Sequence, residues 1–110
     1  MTYIKINETM YPATISGKLN DREWGNRKSK SITLAMEYAE ALDLFKDGLS
    51  WSIVMDMEQS QEEYDNSEYD LAGPITDNRD GTVTVKMGKA TAGEMLAELM
   101  EVLNNDEGRD

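Results

Sequence analysis

The sequence predicts an α+β fold, in which a mainly antiparallel sheet of five or six strands carries two helices packed on it. Apolar residues alternate with polar ones in several short segments, as they do along half-buried strands. Two other segments repeat their apolar residues every three or four positions, which is typical of amphipathic helices. The connections between these segments are short, and short connections favour antiparallel neighbours. The predicted order is β-β-β-α-β-β-β-α.

Six segments show the strand pattern. Their apolar sets are Ile4 and Ile6; Tyr11, Ala13 and Ile15; Ile32, Leu34 and Met36; Trp51, Ile53, Met55 and Met57; Leu71 to Ile75; and Val83, Val85 and Met87. Pro12 has no N–H to donate to a ladder, so the second strand should lie at an edge or begin irregularly. Asp80-Gly81 predicts a tight turn before the last strand.

Two helices are predicted, one from each segment with helical periodicity. The first carries Tyr38, Leu42 and Phe45 at helical spacing and ends before Gly48. The second runs from about Glu94 to Asn104, and Thr91 with Glu94 forms a capping box at its start. Its apolar stripe is Met95, Leu96, Leu99, Met100 and Leu103. We expect this stripe to be buried on the sheet, against Ile32, Leu34, Ile53 and Val83.

The chain has the size of one domain. With 110 residues it can build a single core, and we expect a globular domain over 1–105 and a frayed acidic tail over 106–110. The polar, acidic segment 58–70 is expected to be an exposed loop. No apolar run approaches the ~20 residues that span a bilayer, and the N-terminus has no signal-peptide pattern, which predicts a cytoplasmic protein.

The chain contains neither cysteine nor histidine. Disulfides, thiolate nucleophiles, Ser-His pairs and the commonest metal ligands are therefore excluded. The segment 76–87 fails the calcium-loop pattern, because Met87 stands where a bidentate Glu is required. We expect a protein that is not an enzyme and that uses no cofactor or metal. The net charge of −11 disfavours direct binding to nucleic acids or anionic membranes.

Positive charge is concentrated in one segment, which also contains a tryptophan. Five of the eleven basic residues fall within positions 18–30. A guanidinium, ammonium groups and an aromatic face can together hold a phosphorylated nucleotide. The candidate ligand-binding residues are Trp24, Arg22, Arg27, Lys28 and Lys30. The alternative is an ordinary solvated loop whose tryptophan packs at the edge of the core.

The acidic segment is a second candidate site. Its carboxylates can imitate a phosphate backbone and occupy a basic groove on another protein, while its tyrosines add contact area. The candidate partner-binding residues are Glu62, Glu63, Tyr64, Asp65, Glu68 and Tyr69. The alternatives are a solvated loop, or pairing of the acidic and basic segments between copies in a homo-oligomer.

Four segments resemble small proteins encoded by phages and prophages of Firmicutes. They are residues 11–15, Trp24 with residues 26–29, residues 47–54, and residues 77–89. The genes of this family resemble those found near tail and lysis genes, so the resemblance implies a viral origin, and no catalytic or ligand residue can be transferred from it.

Two functions are compatible with a viral origin. One is a stoichiometric inhibitor of host antiviral defence, which sequesters a nucleotide signal or docks on a defence protein such as a CRISPR nuclease. We expect such an inhibitor in the cytoplasm of the infected bacterium. The alternative is a structural tail or baseplate accessory protein, located in the virion.

Overall fold

The computed structural model describes the backbone of residues 1–107 and the side chains of residues 1–101. It has an α+β fold, as predicted, with a seven-stranded antiparallel sheet. The strands are β1 (Thr2–Ile6), β2 (Thr9–Asp21), β3 (Arg27–Ala35), β4 (Ser52–Met57), β5 (Ser60–Asp65), β6 (Leu71–Asp77) and β7 (Thr82–Gly88). The helices are α1 (Tyr38–Leu44) and α2 (Ala92–Glu107), and a 3-10 turn covers Arg22–Trp24.

The strands are arranged in the order β5-β4-β1-β2-β3-β7-β6. Asn7 and Glu8 both have positive φ, at 50° and 69°, which gives the β1–β2 hairpin a two-residue turn whose twist matches the strands. β2 is an internal strand, so of the two alternatives predicted from Pro12, an edge position or an irregular start, the edge position is wrong. Pro12 is tolerated because the pairing of β2 with β3 begins only at Ala13.

One face of the sheet, here the core face, carries most of the apolar residues of the central strands. Ile4, Ile32 and Val85 on this face have no accessible surface, and α1 covers it near β6 and β7. Trp51 closes the core beside them, and its indole N–H donates to the carbonyl of Tyr69 at 2.9 Å. The opposite face, here the outer face, carries mainly the alternate polar residues.

Two further predictions about individual elements are wrong. The segment 58–70 is not a loop, because residues 60–65 pair with β4 as a seventh strand. α2 does not bury its stripe on the sheet: Met95, Leu96 and Leu99 are 49%, 58% and 56% exposed. The predicted contact of Leu103 lies outside the described side chains.

The C-terminal boundary also differs from the prediction. α2 continues to Glu107, two residues beyond the expected end of the domain at 105. Residues 108–110 of the expected tail lie outside the described part of the chain. The capping box of α2 is confirmed, since Thr91 N–H donates to the Glu94 carboxylate at 2.8 Å and Glu94 N–H donates to the Thr91 hydroxyl at 3.2 Å.

Candidate protein-binding surfaces

Trp24 lies on the outer face of the sheet, over two glycines. A Cβ atom at Gly88 would stand 2.6 Å from the Trp24 ring, and one at Gly73 would stand 2.8 Å from it. Carbon atoms in contact prefer separations of about 3.5–4.0 Å, so only glycine leaves room for the ring. The 3-10 turn that presents Trp24 begins at Asp21, whose carboxylate accepts from Glu23 N–H at 3.1 Å, and it ends at Gly25 with φ 67°.

Arg27 is held by contacts with Trp24, Lys89 and Glu94 and is only 9% exposed. Its Nε donates to the Trp24 carbonyl at 3.0 Å, and its guanidinium lies 4.9 Å from the centre of the Trp24 ring. Nη1 and Nη2 donate to the two carboxylate oxygens of Glu94 at 2.6 and 2.7 Å. The two parallel N–H groups of the guanidinium match the two oxygens of the planar carboxylate. The Arg27 guanidinium therefore presents no unpaired charge to solvent, because it is bound to Glu94 in the first turn of α2.

The Arg27–Glu94 pair also sets the ionisation of the carboxyl. The hydrogen bonds from Arg27, followed by the one from Thr91 N–H, lower the pKa of Glu94 to about 2. The same bonds with Glu94 raise the pKa of Arg27 above its ordinary value.

Of the remaining basic candidates, Lys28 lines a concavity with Arg27, whereas Lys30 lies on the other face of the sheet. Side chains alternate along β3, so Arg27 belongs to the outer face and Lys30 to the core face. Lys30 donates to the Asn66 side chain, and its ammonium lies 4.7 Å from the centre of the Tyr69 ring. Burial lowers the pKa of Lys30. Lys28 and Arg22 are exposed. Lys28 shares an open concavity of about 260 Å³ with Arg27 and Lys89, but the Arg27 guanidinium there is already paired with Glu94.

A buried ionic cluster on the outer face was not predicted from the sequence. Asp21 has no accessible surface, and its carboxylate accepts from Ser29 Oγ at 2.9 Å and from Lys86 Nζ at 2.8 Å. The Lys86 hydrogen bond, then the Ser29 hydrogen bond, lower the pKa of Asp21 to about 2. The carboxylate is therefore fixed in its charged form, and the cluster holds β2, β3 and β7 together.

The acidic candidates are divided between an edge strand and the loop after it. Glu62, Glu63, Tyr64 and Asp65 belong to β5 and are exposed. Lys5 Nζ reaches the Glu63 carboxylate at 3.3 Å, and this contact raises the pKa of Lys5. The Tyr64 hydroxyl donates to Glu62.

The last two acidic-segment candidates have partners elsewhere in the fold. Glu68 pairs with Lys89 at 3.2 Å, and Tyr69 is half-buried against the core beneath Lys30. Four of the six candidate residues therefore lie together on β5, whereas Glu68 and Tyr69 contact Lys89 and Lys30.

A run of four exposed apolar side chains lies on α2, where the sequence predicted burial. Met95, Leu96, Leu99 and Met100 are between 49% and 58% exposed. They occupy one side of the helix, whereas Glu94, Glu98 and Glu101 lie on the other side at helical spacing. A run of exposed large apolar side chains rimmed by polar residues is typical of a protein-binding surface.

One concavity, of about 560 Å³, is open and lined by residues such as Pro12, Thr14, Thr33 and Thr82, with no charged side chain. No group of acidic residues in the described part of the chain is arranged to hold a metal ion. Within residues 1–107, no helix has the length and apolar character to cross a membrane. Comparison of the chain with protein-family models, curated proteins and solved structures found no match.

Proposed function

We propose that this protein is a non-catalytic binding protein that docks on another protein through the apolar face of α2. The observation that carries the proposal is the exposure of Met95, Leu96, Leu99 and Met100 on a helix that leaves the sheet after β7. Burying the exposed half of four such side chains would stabilise a complex by roughly 3–6 kcal/mol before the entropy of association is subtracted. This is a helix-in-groove mode of recognition.

Charge identifies the kind of partner. α2 carries Glu94, Glu98 and Glu101 and contains no lysine or arginine along its length. The net charge of −11 also makes the approach of two copies of the chain unfavourable. The surface that fits α2 is an apolar groove with a basic rim on a different protein.

The ionisable groups support a binding role over a catalytic one. General acid–base catalysis needs a group that titrates near the working pH. The buried carboxylate of Asp21 has its pKa held at about 2 by Lys86 and Ser29, far from neutrality. Lys30, whose pKa burial lowers, is occupied by Asn66 and Tyr69.

A stoichiometric inhibitor of host antiviral defence is the role that we propose, acting in the cytoplasm of an infected bacterium. The resemblance to phage proteins supports the viral context, and the α2 surface supports docking on a defence protein, such as a CRISPR nuclease. Sequestration of a nucleotide signal has less support, because Arg27 is engaged by Glu94 and Lys30 belongs to the other face. A tail or baseplate accessory protein is the second candidate, favoured by a sheet that is not closed and by the apolar helix, since both suit assembly contacts.

A substitution within the stripe separates these roles. Leu96→Glu places a charge on the apolar face, whereas Ala97→Glu places the same charge on the same helix outside it. A phage that is sensitive to a nuclease-based defence should form plaques on cells that express the wild type or Ala97→Glu, and should fail on cells that express Leu96→Glu. Equal protection by both variants would show that α2 is not the docking element.

The virion alternative predicts a different set of results. The wild type would give no protection, would be found by mass spectrometry in purified particles, and would form oligomers that Leu96→Glu disrupts. Light scattering of the purified protein gives the oligomeric state directly, and a monomeric wild type is expected from the inhibitor proposal.

A further inference from the structure

The backbone of β5 has one side that faces away from the sheet. Asn66 N–H donates to the Trp51 carbonyl at 2.8 Å, so these two residues form a hydrogen-bonded pair. The next hydrogen-bonded pairs in the register are Ile53 with Tyr64 and Met55 with Glu62. Hydrogen-bonded pairs alternate along an antiparallel ladder. The N–H and C=O groups of Gln61, Glu63 and Asp65 therefore point outward from β4.

The pairing of β4 with β1 leads to the same assignment of inward and outward residues. Asp56 N–H donates to the Met1 carbonyl at 2.9 Å, and the Met1 ammonium donates to the Asp56 carbonyl at 2.8 Å. Asp56 thus faces β1, and its neighbours Met55 and Met57 face β5. In the described part of the chain, no backbone group or side chain bonds to the outward groups of β5.

The two edges of the sheet are protected differently. At the β6 edge, Pro74 removes one donor, the register is irregular between Ala72 and Ile75, and the Ala72 N–H is occupied by the Asp47 carboxylate at 2.8 Å. These are common ways of preventing further strand pairing. β5 has no proline and pairs with β4 without a register shift over its whole length. β5 is thus the edge at which a strand can be added.

Charge restricts what can be added to β5. The chain contains no lysine or arginine between Lys46 and Arg79, and β5 with its turn carries Glu58, Glu62, Glu63 and Asp65. The β5 strand of a second copy would bring these acids against their own counterparts, which is destabilising for residues directly opposite. An extended peptide rich in lysine or arginine would instead meet opposite charges.

The side chains of β5 and β4 add an apolar element. Tyr64 is 49% exposed, and Met55 on the adjacent strand is 41% exposed. They belong to the same face, because Met55 pairs with Glu62, two residues from Tyr64. A peptide in which basic and apolar residues alternate would place its basic set against Glu63 and Asp65 and its apolar set on the face of Tyr64 and Met55.

We propose that β5 binds an extended basic peptide segment of another protein as an eighth strand of the sheet. The backbone groups of Gln61, Glu63 and Asp65 supply the hydrogen bonds, and the acidic side chains select a basic strand. This mode of binding is strand addition to an exposed edge. It does not depend on the proposed role of α2, because the two surfaces share no residue.

An acetylated, amidated octapeptide of alternating lysine and valine serves as the probe. We expect it to bind the wild-type protein, with chemical-shift changes and slower hydrogen exchange at the amides of Gln61, Glu63 and Asp65. The corresponding peptide of glutamate and valine should not bind. Absence of binding by the basic peptide would overturn the proposal.

Gln61→Pro distinguishes a strand from a charged surface. It removes one outward N–H without changing charge and leaves the ladder with β4 intact, because the Gln61 N–H faces away from β4. Affinity for the basic peptide should fall about tenfold, the effect of leaving a peptide carbonyl without its partner. The matched variant Gln61→Ala keeps the N–H and should bind as the wild type does.

Two further results would contradict strand addition. Equal affinity of Gln61→Pro and Gln61→Ala would mean that the peptide is attracted by the acidic side chains alone. Loss of peptide binding in Leu96→Glu would place the peptide on α2. Retained peptide binding in Leu96→Glu, together with lost protection from defence, is the result expected if both proposals are correct.

Discussion

Replacing Gly88 by alanine should destabilise the protein, because the Trp24 ring occupies the space that the new methyl group needs. The added Cβ would lie 2.6 Å from Trp24 Cζ3 and 2.8 Å from Arg27 Cδ. An unstrained contact between carbon atoms needs about 3.5–4.0 Å, so the ring must move by roughly 1 Å. Overpacking of this size costs about 1–3 kcal/mol, and it also disturbs the position of Arg27.

Gly17→Ala is the matched control. Gly17 also lies inside a strand, but its Cβ would meet only the Ser29 carbonyl oxygen, at 3.8 Å. Alanine at such a position reduces the entropy of the unfolded chain and should stabilise the fold by about 0.4–1 kcal/mol. Urea unfolding followed by circular dichroism should therefore place the two variants on opposite sides of the wild type, at least ~1.4 kcal/mol apart.

A double-mutant cycle identifies Trp24 as the cause. Two of the three closest atoms to the new methyl group belong to the Trp24 ring, so Gly88→Ala should cost much less in a Trp24→Ala background. A cycle of this kind isolates the interaction between neighbours. Equal penalties in the two backgrounds, or equal stability of Gly88→Ala and Gly17→Ala, would refute the placement of the indole over the sheet.

Two further predictions concern acid stability and the packing of α2. A carboxyl whose pKa is lower in the folded chain favours folding above its ordinary pKa and loses that contribution as the pH falls through its folded value. The pKa values of Asp21 and Glu94 are lowered from 3.8 and 4.5 to about 2. The urea concentration at the unfolding midpoint should therefore decrease as the pH is lowered from about 4.5 to 2. This decrease should be less steep in Asp21→Asn and in Glu94→Gln. Ile32→Ala, in the core, should cost about 2–5 kcal/mol, whereas Leu99→Ala, on the exposed stripe, should change stability by less than ~0.5 kcal/mol. Similar melting temperatures for these two variants would mean that α2 packs on the sheet.

The sequence predicted the elements whose signals are local. The alternation of Ile32 with Leu34 and of Val83 with Val85 indicated core strands, and the Thr91–Glu94 pair indicated the start of α2. In each case the residues that define the element lie within a few positions of one another. The contacts that stabilise these elements follow from the same short-range pattern.

β5 could not be predicted in this way, because its sequence lacks apolar alternation. Residues 60–65 contain one tyrosine among polar and acidic residues, and they form a strand by pairing with β4 across a short turn. The nearest signal was the position of Glu58-Gln59 directly after a clear strand. An edge strand with no buried side chain depends on its partner for structure, and its own residues carry little evidence of it.

The candidate site was predicted only in part, because its partners are distant in the sequence. The basic segment was recognised, but Arg27 meets Glu94 across 67 positions, and nothing local distinguishes an engaged arginine from a free one. The amphipathic pattern of α2 was also correct, although its role was not. Helical periodicity indicates that one side of a helix packs against something apolar. The periodicity is identical whether that side packs on the sheet or on another protein.

The position of the two proposed surfaces bears on what one molecule can bind. β5 forms one edge of the sheet, and α2 follows β7 near the other edge, five strand spacings away. At about 4.8 Å per spacing this separates them by roughly 24 Å along the sheet, so a basic strand on β5 and a groove on α2 can be occupied together. If both belong to one partner, the second contact becomes intramolecular and the affinities reinforce each other. The orientation of α2 then matters as much as its apolar stripe, and it is fixed by the contacts that run from Gly88 through Trp24 and Arg27 to Glu94. In the proposed complex, the end of the sheet that carries Gly73 and Gly88 would thus contribute to binding by holding α2 at a defined angle.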